Sequence, residues 1–342
     1  MQSCRIGAID EDDDSMEDQE ESKDEGRGNI LQPQDGEELF DALARSFYQG
    51  RKDIGVGIRR QKLRALGLIA ERFPDIMKNV CSQIGRPRTQ VLLELLESNI
   101  KGSESDKKEQ QVLTGCLEAI SYAVSVPEFV TAFFEKKPEN AKLIFGCVYS
   151  ALEELVAGNL NRYHLPIAAL QLFASHTEHF KNVLMNPGTL QRVNVVSMCK
   201  MLLESCRHHN RDVSSKALKA YEAFLGSVRS MLVGNKAVVL QICVQFQELL
   251  KADPRSRCLS LRGFGSFATA IKSIESNEYL NDLWAQLANY MENVLGRGED
   301  LEREEVTMQL PALIVAFADI LLELDQVSDF HRIRISFSYS IH

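Results

Sequence analysis

The chain is short of most things that would give it a chemistry. Its longest apolar run, Leu310 to Leu322, is 13 residues long and contains Asp319, against the roughly 20 that a helix needs to cross a bilayer. No membrane partner is expected. The N-terminus lacks the basic-then-apolar order of a secretion signal. There is no C-x-x-C pair and no Cys/His cluster at zinc spacing. His176 and His179 stand in the order HTEH, not HExxH, and read as a partly exposed helix face, so no metal is expected. Gly55-Val56-Gly57 lacks a third glycine, and no G-x-x-x-x-G-K-[ST] occurs. G-x-S-x-G, H-R-D and D-F-G are absent too, so no cofactor, nucleophile or kinase site is expected.

What is present is helix. From Leu160 the run LNRYHLPIAALQLFASHTEHF places apolar residues at Leu165, Ala168, Ala169, Leu172, Phe173 and Phe180, the spacing of one buried stripe. Asn159 to Asn161 end the preceding helix, and Pro166 suits a first helical turn. The two helices make an antiparallel pair. Val213–Val228 repeats this outline about 48 residues on, and Cys258–Ile271 repeats it after about 45 more. Near-periodicity of this length is the mark of an irregular HEAT- or armadillo-like solenoid, in which each unit buries its stripe only against its neighbours. The fold class is therefore all-α. Helices are expected over 37–50, 56–73, 74–83, 88–100, 109–125, 127–136, 138–158, 188–206, 211–233, 235–252, 256–274, 278–296 and 304–325. Gly263 and Gly265 fall inside one of them, where glycine allows close helix approach.

The formal charge of −9 sits at one end. Residues 1–29 hold eleven Asp/Glu and three Lys/Arg, leaving 37 acids and 36 bases for the rest. Residues 1–36 read as a disordered acidic segment, with Ser15 and Ser22 in acidic contexts, 37–330 as the solenoid, and 331–342 as a non-solenoid tail. The stretch RIRISFSYSI near the end alternates as a strand would, with nothing to pair with. Eight scattered cysteines read as buried, reduced thiols of a cytosolic or nuclear protein.

Basic residues are the one hint of a ligand. Arg51 to Arg88 holds ten Lys/Arg against three Asp/Glu, with Arg59, Arg60, Lys62 and Arg64 on one predicted helix. Arg207, Arg211, Lys216 and Lys219 form a second group, and Lys251, Arg255, Arg257 and Arg262 a third. At solenoid spacing such groups can line one edge and face a polyanion, touching phosphates and not bases. Solvated faces of amphipathic helices have the same composition.

The organising stretch resembles the N-terminal helical arm of the DNA-dependent protein kinase catalytic subunit family, within the phosphatidylinositol-3-kinase-related kinases. So do VLTGCLEAISYAVS (112–125), KALKAYEAFLGSV (216–228), CLSLRGFGSFATAIKSI (258–274) and QLPALIVAFADILLELDQV (309–327). Five blocks in one order cover roughly 110–330, with weaker similarity from Glu37 to Ser98. The resemblance implies a nuclear protein acting in double-strand break repair by non-homologous end joining. Family members are very large serine/threonine kinases whose N-terminal solenoid holds duplex DNA ends presented by the Ku heterodimer, the kinase domain lying at the far C-terminus. This chain would then be a non-catalytic arm, its partners being DNA ends, Ku and the remainder of a parent kinase. The candidate contacts are Arg59, Arg60, Lys62, Arg64, Arg207, Lys216, Lys219 and Arg262. The acidic start and the RIRISFSYSI end depart from the family pattern, and read as a partial product that begins at an internal methionine and runs past a splice junction. The other reading is a free-standing HEAT-like adaptor that binds proteins only.

Overall fold

The structure, a computed structural model, describes residues 31–50, 55–103, 109–158, 160, 162–185, 194–274, 282–290 and 304–323. Ser15, Ser22, the acidic segment to residue 30, and RIRISFSYSI lie outside the described residues. A compact unit begins at Pro33.

Local sequence sets the helix starts. Proline occupies the first turn of α1 (Pro33–Gly50), α5 (Pro127–Val130), α6 (Pro138–Val156) and α11 (Pro254–Ser266), where no intrahelical N–H is required. Side-chain caps open three more helices and reinforce α11. Asn194 and Ser197 form a capping box on α8 (Val195–Cys206), and Asn210 accepts from two backbone N–H groups at the start of α9 (Arg211–Val228). Asn235 caps α10 (Lys236–Leu250) and Asp253 caps α11. Each cap supplies an acceptor to donors that the helix leaves free.

The remaining helices are α2 (Val56–Arg72), α3 (Arg88–Ser103), α4 (Gln110–Tyr122), α7 (His164–Met185), α12 (Ala268–Ile274), α13 over 282–290, and α14 (Glu304–Glu323). They stack in two layers. α1, α3, α6, α8 and α10 form the first, and each packs against its sequence successor in the second: α2, α4, α7, α9 and α11. Along the second layer α2 packs on α4, α4 on α7, α7 on α9, α9 on α11, and α11 on α14. This is an all-α helical solenoid. The three repeats visible in the sequence fall on α7, α9 and α11, all in the second layer.

The second-layer helices run parallel to one another. Gly57 lies beside Gln111, Gly115 beside Arg60, and Gly67 beside Ala119. The His176 ring meets the Ile120 carbonyl, and Ser227 Oγ donates to Glu178 while Tyr163 meets His209. Tyr221 donates to the Leu259 carbonyl, and Gly265 lies beside Ala316. Partner numbers rise together at the α2–α4 and α7–α9 seams and, with Arg207 meeting Asp253, at the α9–α11 seam, so the N-terminal ends of the helices at each of these seams lie together.

Close approach explains several glycines. A Cβ on Gly67 would sit 2.5 Å from the Ala119 Cα, and one on Gly115 2.7 Å from the Arg60 carbonyl oxygen. At Gly263 it would fall 2.3 Å from the Phe246 ring, which confirms the expected role of that glycine. Pro166 falls in the first turn of α7 as expected, and Ala168, Ala169, Leu172, Phe173 and Phe180 are buried.

Three expectations need correction. The helix expected over 74–83 is a 3-10 turn, Pro74–Lys78, followed by a hairpin in which β1 (Val80–Cys81) pairs antiparallel with β2 (Arg86–Pro87). Asp41 of α1 causes this. It accepts hydrogen bonds from the Ser82 backbone and hydroxyl at 3.0 and 2.9 Å and from Arg88 Nε at 2.8 Å, while Gly85 turns at φ 73°. Burial pushes the Asp41 carboxyl up, and the bonds from Arg88, Ser82 and Cys81 more than reverse this, leaving it below the usual range.

The second correction concerns 127–136, where the α-helix ends at Val130 and a π-turn, Thr131–Glu135, follows. The wider turn lets the consecutive Phe133 and Phe134 both bury. The third is His176, which is 1 % exposed and not on a partly exposed face. It sits at a kink in α7 (φ −124°, ψ 20°), its Nε2 3.0 Å from the Ile120 carbonyl and its ring against Phe134. Desolvation lowers its pKa to about 4.

Candidate nucleic-acid interface

The eight candidate cations fall in two places. Arg59 and Arg60 lie on α2 where it meets α4, with side chains 14 % exposed. Arg59 pairs with Glu109, and Arg60 Nη2 lies 3.0 Å from Glu118 Oε1. Lys62 points the other way, donating to Ser46 Oγ at 2.9 Å with its ammonium 6.0 Å from the Phe47 ring centre. Arg64 is half-buried. Four neighbours in sequence are thus dispersed around one helix, because successive side chains turn about 100° on a helix of 3.6 residues per turn.

The second place is the α9–α11 seam. Arg207, in the turn before α9, lies 3.5 Å from Glu204 and 3.8 Å from Asp253, the α11 cap. Arg262 pairs with Glu222 across the seam, both about half exposed. Lys219 is exposed and Lys216 half-buried on α9, and neither joins an ion pair among the described residues. The structure brings Arg207, Lys216, Lys219 and Arg262 onto neighbouring helices. It holds the α2 group apart from them, with α4 and α7 between.

Along the N-terminal edge, Arg162, Arg211 and Arg255 are exposed at the starts of α7, α9 and α11. None makes an ion pair among the described residues. The dipoles of the aligned helices add positive potential there, offset at α9 by Asp212 in its first turn and at α11 by the Asp253 cap. Near them, His208 Nδ1 accepts the Asn210 N–H at 3.1 Å, and burial, then the neighbouring His209, lowers its pKa. A cavity of about 410 Å³ opens on this edge, lined by Arg60, Gln110, Thr114, Arg162 and His164 together with Leu160 and Leu165. Arg162 escaped the sequence reading because it is a lone cation in a turn, and only the parallel stack sets it on the same edge as Arg211.

Burial pushes the Cys206 thiol up to about 12 and those of Cys116 and Cys199 higher still. Among the described residues no group of His, Cys, Asp and Glu is placed to hold a metal, and no helix is long and apolar enough to cross a membrane.

This two-layer stack is matched by the family model described as "DNA-PKcs, N-terminal" over residues 35–337. The chain belongs to the DNA-PKcs N-terminal family. It is 27 % identical over 271 residues to the DNA-dependent protein kinase catalytic subunit of Canis lupus familiaris and 24 % identical over 271 residues to that of Mus musculus. To the same subunit of Dictyostelium discoideum it is 23 % identical over 280 residues. These alignments cover 77 to 79 % of this chain and 6 % of each relative. The DNA-PKcs N-terminal match thus concerns a small part of those proteins, and that part is not their kinase domain.

Proposed function

We propose that the chain serves as a binding arm without catalysis of its own, in a nuclear protein resembling the DNA-dependent protein kinase catalytic subunit. In this reading it acts in double-strand break repair by non-homologous end joining, engaging duplex DNA ends together with Ku and the remainder of a parent kinase. The observation that carries the reading is the parallel second layer, which aligns on one edge helix N-termini with Arg162, Arg211 and Arg255, none of them in an ion pair among the described residues. A cation row without a groove-entering element suits phosphates and is indifferent to base sequence.

The eight sequence candidates enter this reading unequally. Arg207, Lys216, Lys219 and Arg262 are accessible enough to meet phosphates. Arg59 and Arg60 first have to leave Glu109 and Glu118. The test is the affinity of the purified chain for a blunt duplex as salt is varied. Each phosphate neutralised contributes about −0.9 to the log–log slope, so a slope of several units is expected. A protein-only adaptor would show weak, salt-independent DNA binding, and that result would replace this reading. The apolar groove of about 420 Å³ between α9, α11 and α14 is the feature that favours the adaptor.

A further inference from the structure

The cations of the N-terminal edge are interleaved with rings. Tyr163 stands between Arg162 and His164, which line the cavity beside α4, and its own ring meets two histidines in the turn before α9. The contacts are edge to face: the Tyr163 ring centre is 4.9 Å from that of His208 at 71° and 5.9 Å from that of His209 at 79°. The two imidazoles are 4.2 Å apart and 32° from parallel. They form a short stack with the tyrosine as its wall.

These rings are held in place by the local backbone. His208 Nδ1 accepts the Asn210 N–H at 3.1 Å, the Asn210 carboxamide caps α9, and Tyr163 Oη lies 3.3 Å from His209 Nε2. Tyr163 and His208 are half-buried, whereas His209 is exposed. The other ring contacts among the described residues join buried or half-buried rings, chiefly core phenylalanines, where packing accounts for them. An imidazole stack that ends in solvent contributes little to a core. It is a flat surface of the kind that an unpaired nucleobase covers. Arg162 precedes Tyr163, and Arg207 and Arg211 bracket the two histidines; all three arginines are exposed. Rings set among cations are what single-stranded nucleic acid requires, the rings for its bases and the cations for its phosphates.

We propose that Tyr163, His208 and His209 form a stacking platform for an unpaired base of a single-stranded overhang at a duplex end, with Arg162 and Arg211 on the phosphates beside it. The proposal rests on the DNA-binding reading above and adds to it a preference among ends. Inside a duplex each base is covered on both faces by its neighbours, so only an overhang or a frayed terminus offers a base to the platform. Every base has a π-face, and the preference is therefore indifferent to sequence.

The test compares two duplexes with the same short 3′ overhang, one bearing bases and one abasic, so that their phosphates are equal in number. Affinities of the full chain are measured at pH 8, above the ordinary imidazole pKa, as salt is varied. Wild type is expected to bind the overhang with bases about tenfold more tightly, the worth of one base–aromatic stack. His209→Ala should lose that preference while keeping the wild-type salt slope on the abasic duplex, and His209→Phe, which retains a ring, should keep it. His209 is exposed, and an unchanged melting temperature would verify the fold of both variants. Equal wild-type affinity for the two overhangs, with a steep salt slope on each, overturns the platform and leaves the phosphate-binding reading standing. A His209→Ala variant that keeps the full preference for bases also overturns it. Absence of salt-dependent binding to either duplex would overturn both.

Discussion

In the α2–α4 seam Arg59 and Arg60 are held against Glu109 and Glu118 with little exposure, beside glycines that let two backbones nearly touch. In the α9–α11 seam Arg262 and Glu222 form a similar pair that stays about half exposed, with Lys219 and Lys216 unpaired on the same helix as Glu222. The residue types match, and the helices are parallel in both. The difference is depth. A cation near the backbone of a close-packed seam holds helices together, and the same cation on a shallower seam remains available to a ligand.

The largest expected effect is one that both regions share. Phe173 of α7, fully buried against Phe145 and Phe180, lies between the two seams. Phe173→Ala should cost about 3–5 kcal/mol in a urea titration, as loss of a buried aromatic usually does. A loss below about 1 kcal/mol would mean that the stack does not pass through α7.

His176, at the α4–α7 contact, gives the next. Its folded pKa of about 4 lies below the usual 6.5, so the unfolded chain binds a proton first as pH falls. Its contribution is complete above about pH 6.5 and is lost as pH drops through the folded value, to the extent of about 3 kcal/mol. His179, Phe134 and the Ile120 carbonyl face the ring. The stability of His176→Phe, followed from pH 7 to 4.5, should lose that part of the slope. An unchanged slope would place the acid sensitivity elsewhere, His179, whose pKa burial also lowers, being the next group to test.

The two seams separate most sharply by charge reversal. Arg60→Glu sets two carboxylates together in a mostly buried seam, and should cost about 2–3 kcal/mol. Arg262→Glu makes the same change on the shallower seam and should cost under about 1 kcal/mol. Equal losses from the two would remove the distinction between them.

Much of the architecture can be read from the chain because it is local. The stripes of α7, α9 and α11, the proline openings and the Asn caps all lie within a few residues of the helices they define. The hairpin at Val80–Pro87 cannot be read so, since Asp41, 41 to 47 residues from the groups it binds, sets it. The π-turn at Thr131–Glu135 follows from the need to bury two consecutive phenylalanines. His176 looks like a surface residue until α4 is placed against it. The candidate site shows the same limit: the cations are plain in the sequence, whereas Glu109, Glu118 and Glu222, which decide whether each is free, are 40 to 58 residues from their partners.

The most direct test of a phosphate-binding arm is the salt dependence of blunt-duplex affinity for Lys216→Glu/Lys219→Glu against wild type. Both side chains are solvent-accessible, so stability should change by under about 0.5 kcal/mol. The log–log slope should become shallower by about one unit for each lysine that meets a phosphate. A slope and affinity equal to wild type would contradict the account, and would return these lysines to the solvated face of α9.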